Sequence, residues 1–162
     1  MLTDAQIRRV WEGLFGANVR ANYFAELSRK YQSRQKLATW MSLFFASGVV
    51  GTLLLRIPEL SIGVSLLATM VSVYGVVAQN CKLAVDSADL FTRWSTLAAE
   101  YEAIWENVWA DDAAARLQIA DEKARETGRS AIPLPVNQKA LMRWYEHMER
   151  EFAARGSEVA AA

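Results

Sequence analysis

The chain has 162 residues and carries 18 basic and 18 acidic side chains, so its formal net charge is zero. That balance gives no electrostatic reason to expect nucleic acid as a partner, and the length fits a single domain. The lone cysteine, Cys81, excludes an internal disulfide, and a mean hydropathy of +0.03 averages a very apolar middle with charged ends.

In chain order, residues 1–36 read as N-terminal cytosolic helices. Thr3 or Asp4 is placed to cap the first, and Ile7, Val10, Trp11 and Leu14 form one apolar face. Gly13 and Gly16 weaken its continuation. The pattern restarts at Asn22 with Phe24, Leu27 and Tyr31, and a basic stretch then leads to Trp40.

Residues 37–81 carry the strongest signal. A run of 19 uncharged residues (Leu37 to Leu55) is followed by Arg56-Ile57-Pro58-Glu59 and then by 22 more (Leu60 to Cys81). At about 1.5 Å rise per residue, each run is long enough to cross a hydrocarbon core of roughly 30 Å. The pattern predicts a transmembrane helical hairpin with spans 37–55 and 60–81, and the alternative is a soluble bundle with one unusually apolar helix pair. Because the apolar run follows 36 mostly polar residues, with no small-residue cleavage pattern, the hairpin is expected to be retained. Arg20, Arg29, Lys30, Arg34 and Lys36 precede the first span and Lys82 and Arg93 follow the second, against Arg56 alone in the turn. The positive-inside rule then predicts a multi-pass inner-membrane protein with both termini cytoplasmic.

Within the second span, Ser61, Ser65, Ala68, Ser72, Gly75 and Gln79 fall on one arc of about 80° at helical spacing, opposite Leu66, Met70, Val73 and Val77. Such a strip either lets helices pack closely or, in a ring of copies, lines a wet passage. Gln79 and Asn80 reach interfacial water or form a polar ring at the inner mouth. Ser47 with Gly51, and Gly48 with Thr52, give the first span a weaker packing signal that can close the hairpin.

Residues 82–128 read as a cytosolic helical extension. Leu83, Leu90, Leu97 and Ile104 recur every seven residues, and Trp94, Tyr101 and Val108 follow the last three by four. This a/d pattern is a seam for an oligomer or a partner. Asp111 and Asp112 end the element or restart it by capping, and Gly128 stands where a C-cap is wanted. Residues 129–136 form an extended connector around Pro133 and Pro135. Asn137 caps a last amphipathic helix, 137–155, with Leu141, Trp144, Tyr145, Met148 and Phe152 on its apolar face, and 156–162 read as a disordered tail. The tryptophans outside the spans, Trp11, Trp94, Trp105, Trp109 and Trp144, belong either to a compact bundle core or to an exposed seam.

No enzyme is expected. His147 lies on a polar helix segment and Cys81 at a membrane edge, and neither has a catalytic set around it. Asp86 with Asp89, and Asp111 with Asp112, lack a second set of ligands, so neither a metal nor another cofactor is expected. Gly48 and Gly51 lie in an apolar span and do not form a phosphate loop.

The basic, aromatic lead from Tyr23 to Lys36, the two closely spaced spans and the long helix running on from the second resemble the SLATT family, the SMODS- and SLOG-associating two-transmembrane effector domains. The resemblance covers roughly Asn18 to Trp109 and is one of architecture. It implies an oligomeric pore-forming or membrane-perturbing effector of a prokaryotic defence system, triggered from the cytosol by a signalling or sensor protein partner that makes or senses a nucleotide. The expected fold class is all-α: a two-helix transmembrane hairpin whose long cytosolic extensions form a helical bundle. The expected partners are the lipid bilayer and further copies of the chain. The competing function is a noncatalytic membrane anchor or scaffold that recruits a cytosolic partner.

Overall fold

A computed structural model describes residues 1–46, 69–70, 73 and 80–161. The described residues are all-α and contain no strand. The described residues contain four long helices, in chain order α1 (Asp4–Ala46), α2 (Asn80–Glu106), α3 (Ala113–Ser130) and α4 (Gln138–Ala161). They build two compact units, Met1–Glu26 with Ser87–Ala162, and Leu27–Asp86.

In the first unit, α1 starts with a reciprocal cap. The Thr3 backbone N–H donates to Gln6 Oε1 at 2.9 Å, and the Gln6 N–H donates back to Thr3 Oγ1 at 3.4 Å. The helix then runs through Gly13 and Gly16 without the interruption expected from the sequence. A helical glycine costs about 1 kcal/mol relative to alanine, less than burying Val10, Leu14, Ala17, Ala21 and Phe24 on one face returns. Gly13 serves packing: a Cβ there would lie 2.6 Å from Cε1 of Tyr101.

The heptad positions of α2 form the centre of this unit. Leu90, Trp94, Leu97, Tyr101 and Ile104 are all buried. Arg20 lies over the Trp94 ring, its guanidinium carbon 4.8 Å from the centroid. Burial of the Arg20 guanidinium lowers its pKa from the ordinary value, partly offset by Tyr101.

The extension expected over 82–128 divides around Asp111 and Asp112, where the sequence places an end or a restart. α2 ends at Glu106, and a turned segment follows in which Asn107 N–H donates to Ile104 O and Ala110 N–H to Asn107 O. The N-terminus is strapped to this turn through Leu2 N–H to Val108 O at 3.1 Å. Asp112 occupies the N-cap position of α3 with a helical backbone (φ −86°, ψ −5°) and makes no side-chain cap hydrogen bond.

α3 presents only Ala113, Leu117, Ala120 and Thr127 to the interior, so polar contacts carry much of its attachment. The Tyr101 hydroxyl donates to Asp121 Oδ1 at 2.8 Å, Arg9 pairs with Asp121 at 2.6 Å, and Lys123 pairs with Glu100 at 2.6 Å. α3 passes through Gly128 and ends at Ser130, and Ala131 after it stays right-handed (φ −82°), so no glycine is required there.

The connector is turned rather than extended. Leu134 N–H donates to Ala131 O at 3.1 Å, closing a turn that contains Pro133, and the Leu134 side chain is buried. Asn137 caps α4 as its sequence position predicts, Oδ1 accepting from Ala140 N–H at 3.1 Å, while its own N–H donates to the Tyr23 hydroxyl. On α4, Met148 is buried, and Trp144 Nε1 donates to Glu26 Oε2 at 2.6 Å beside the Arg143–Glu26 ion pair. α4 continues to Ala161 instead of ending at 155 before a disordered tail. Alanine and glutamate around Gly156 favour the helix enough to carry it through one glycine.

The Tyr101 contact yields a pH prediction. Burial first, then the hydrogen bond to Asp121 and its charge, raise the Tyr101 pKa above its ordinary value. The fold therefore favours the neutral phenol. Its contribution is complete below about pH 10, the unfolded value, and is lost as pH rises toward the higher folded value. Thermal midpoints of wild type and Tyr101→Phe, compared at pH 8 and pH 11 by circular dichroism, should show wild type losing more. Equal losses would remove the assignment.

In the second unit, Leu27, Tyr31 and Ala38 of α1 and Ala84 of α2 are buried, and the two helices are joined by Ser28 Oγ donating to Ala84 O at 3.1 Å. Gln32 Nε2 reaches Ser28 Oγ at 3.3 Å. Farther along α1 the character changes. Leu37, Trp40, Leu43 and Phe44 are 62%, 71%, 60% and 65% exposed. Among the described residues, no helix is long and apolar enough to cross a membrane. Of the first expected span they include 37–46, and of the second Thr69, Met70, Val73, Asn80 and Cys81.

Candidate functional site

The residues singled out in the sequence fall into three groups. Ser61, Ser65, Ala68, Ser72, Gly75 and Gln79, together with Ser47, Gly48, Gly51 and Thr52, lie outside the described residues. Asn80 is described: it opens α2, is 2% exposed, and its Nδ2 finds no hydrogen-bond partner among the described residues. Cys81 beside it is exposed, as is His147 on α4.

The third group is the α2 seam. Leu90, Trp94, Leu97, Tyr101 and Ile104 are between 1% and 3% exposed, while Leu83 and Val108 are half-buried. These side chains are covered within one chain.

The neighbouring side of the first unit carries a feature that the sequence reading did not assemble. A groove of about 710 Å³ is lined by Trp11 and Leu14 of α1, Trp105 of α2, and Met148 and Phe152 of α4. Glu102 and Glu106 from α2 and Glu151 from α4 line it as well. Trp11 is the hinge of the aromatic cluster, with its ring 5.3 Å from Trp105 at 48° and 5.0 Å from Phe152 at 74°. A smaller pocket of about 320 Å³ shares Trp11 and Phe152 and adds Phe15, Tyr145, Glu12 and Glu149. Phe15 meets Tyr145 edge-on at 4.9 Å.

Local sequence explains the placement. Glu102, Trp105 and Glu106 share one side of α2 at i, i+3 and i+4 spacing, off the heptad stripe that packs inward. Trp11 lies next to the buried Val10 on α1, so its ring emerges at the edge of the packed face; it and Trp105 are 39% and 40% exposed. The available signal was the alternation of tryptophan and glutamate just off a seam. What linear reading lacked was the third wall from α4, nearly 140 residues beyond Trp11.

Chemically the groove offers aromatic surface beside carboxylates, with no nucleophile–base pair. Among the described residues, no group of three or more His, Cys, Asp or Glu side chains is placed to hold a metal ion. Compared with known proteins, the chain matches no family model, no curated protein and no solved structure.

Proposed function

We propose that the chain is a two-span membrane protein whose copies assemble into a pore-type or membrane-perturbing effector operated from the cytosol, as the SLATT resemblance implies. The observation that carries the membrane reading is the end of α1. From Leu37 to Ala46 there is no charge, and four large apolar side chains are at least 60% exposed. Exposed apolar surface this concentrated calls for a covering, and the uncharged runs that follow have the length for lipid to supply it. In this reading the spans are 37–55 and 60–81, in the inner membrane with both termini cytoplasmic.

Two helices enclose no lumen, so conduction requires several copies. With the α2 heptad side chains used inside the chain, the reading assigns subunit contacts and lumen to the strip Ser61, Ser65, Ala68, Ser72, Gly75 and Gln79, with Asn80 at the inner mouth. Ser47, Gly48, Gly51 and Thr52 close the hairpin. The purified protein in dye-loaded liposomes is expected to release the dye, and its expression to depolarise cells loaded with a potential-sensitive dye. Ser65→Leu combined with Ser72→Leu should reduce conductance while the oligomer keeps its size. Unchanged conductance in an intact oligomer would take these serines out of the lumen.

A second reading, the noncatalytic anchor or scaffold, is favoured by the aromatic and acidic groove, which offers recognition surface outside the spans. Protein that inserts fully into liposomes yet causes neither leakage nor depolarisation under any trigger tested would decide for it.

A further inference from the structure

We infer that the groove between α1, α2 and α4 is a binding site for an organic ammonium ion with apolar substituents. Its volume of about 710 Å³ lies in the range of small-molecule sites, roughly 300–1,000 Å³. Trp11 packs against Trp105 at 48° and edge-on against Phe152 at 74°, so a continuous aromatic surface lines the groove, and its free ring faces attract an alkylammonium.

Charge selects the class of ligand. Glu102, Glu106 and Glu151 line the same groove, and Glu12 and Glu149 line the adjoining pocket. Glu102 and Glu106 are exposed and form no ion pair among the described residues. The Glu102 and Glu106 carboxylates, set beside aromatic faces, attract a cation and repel phosphate. A nucleotide is therefore the wrong chemistry for this groove, and a nucleotide trigger must act elsewhere or through a partner. All of these residues belong to the first unit, so the site does not depend on whether the chain enters lipid.

The test uses the full chain in phosphatidylglycerol nanodiscs, whose headgroups carry no ammonium. Choline and benzyltrimethylammonium are titrated by ligand-observed NMR, beside 3,3-dimethylbutan-1-ol, the neutral isostere of choline, and benzoate. Both cations are expected to saturate, with choline at least about tenfold tighter than its neutral isostere. Glu102→Gln with Glu106→Gln should raise the Kd for benzyltrimethylammonium about tenfold with an unchanged thermal midpoint. Trp105→Leu should do the same. Repeating the titration in phosphatidylcholine discs assigns the source: weakened probe binding points to a lipid headgroup, unchanged binding to a free cation. Equal affinity for choline and its isostere, preference for benzoate, absence of saturation by either cation, or an unaltered Kd in the double Glu variant would overturn the inference.

Discussion

Gly13→Ala is expected to destabilise the chain by about 1–2 kcal/mol, although glycine-to-alanine in a helix ordinarily stabilises by up to about 1 kcal/mol. The new methyl would meet Cε1, Cζ and Cδ1 of Tyr101 at 2.6, 2.7 and 3.0 Å. That ring is 2% exposed and tethered through its hydroxyl to Asp121, so it has nowhere to move. Gly16→Ala is the matched control. Its nearest obstacle is Nη1 of Arg20 at 2.9 Å, the far end of a flexible side chain. Swinging that guanidinium aside costs part of its contact with Trp94, about 0.5–1 kcal/mol, so the net change should fall between zero and a gain of about 0.5 kcal/mol. Denaturation midpoints of the two variants should move in opposite directions, or the second not at all. A double-mutant cycle sharpens the comparison, because Tyr101→Leu should be much less damaging in the Gly13→Ala background than alone. Two stabilising alanines would show that α1 and α2 do not approach as closely as described.

The same pair of glycines shows where sequence reading fails. Glycine spacing on α1 suggests an interruption, because propensity is local, whereas the reason for Gly13 is a ring 88 residues away. The α2 heptads were legible because a buried stripe repeats along one element. What the repeat could not say is whether the covering surface belongs to the same chain. α1 supplies it at Gly13, which lies close against the Tyr101 ring, and α3 at Asp121, which accepts from the Tyr101 hydroxyl. Asn137 was readable as a cap because the hydrogen bond it makes spans only three residues. Gly128 was misread because a C-terminal glycine signals a left-handed residue only when the chain turns there, and this helix continues to Ser130. The groove was the least legible feature. Each of its walls is an ordinary helix edge in sequence, and the cluster exists only because the turned connector around buried Leu134 brings α4 back against α1.

Two arginines placed at the centres of the apolar runs should move the protein out of the membrane fraction. Val49 and Met70 stand near the middle of the spans expected at 37–55 and 60–81. In a helix centred in a bilayer, each arginine costs about 2.5–3.5 kcal/mol and each lost apolar side chain a few tenths more. Val49→Arg with Met70→Arg together therefore oppose insertion by roughly 6 kcal/mol, enough to reverse a partition of many thousandfold. Ile119→Arg is the control, since Ile119 is 53% exposed on α3 in the first unit and should leave the partition unchanged. The readout is the fraction of full-length chain that resists alkaline carbonate extraction from cell membranes. Wild type and Ile119→Arg are expected in the pellet and the double variant in the supernatant or degraded. Wild type found in the supernatant, or a double variant as resistant as wild type, would falsify the lipid-facing hairpin. The exposed apolar end of α1 would then need a protein covering, and the pore reading, which depends on that hairpin, would fall with it.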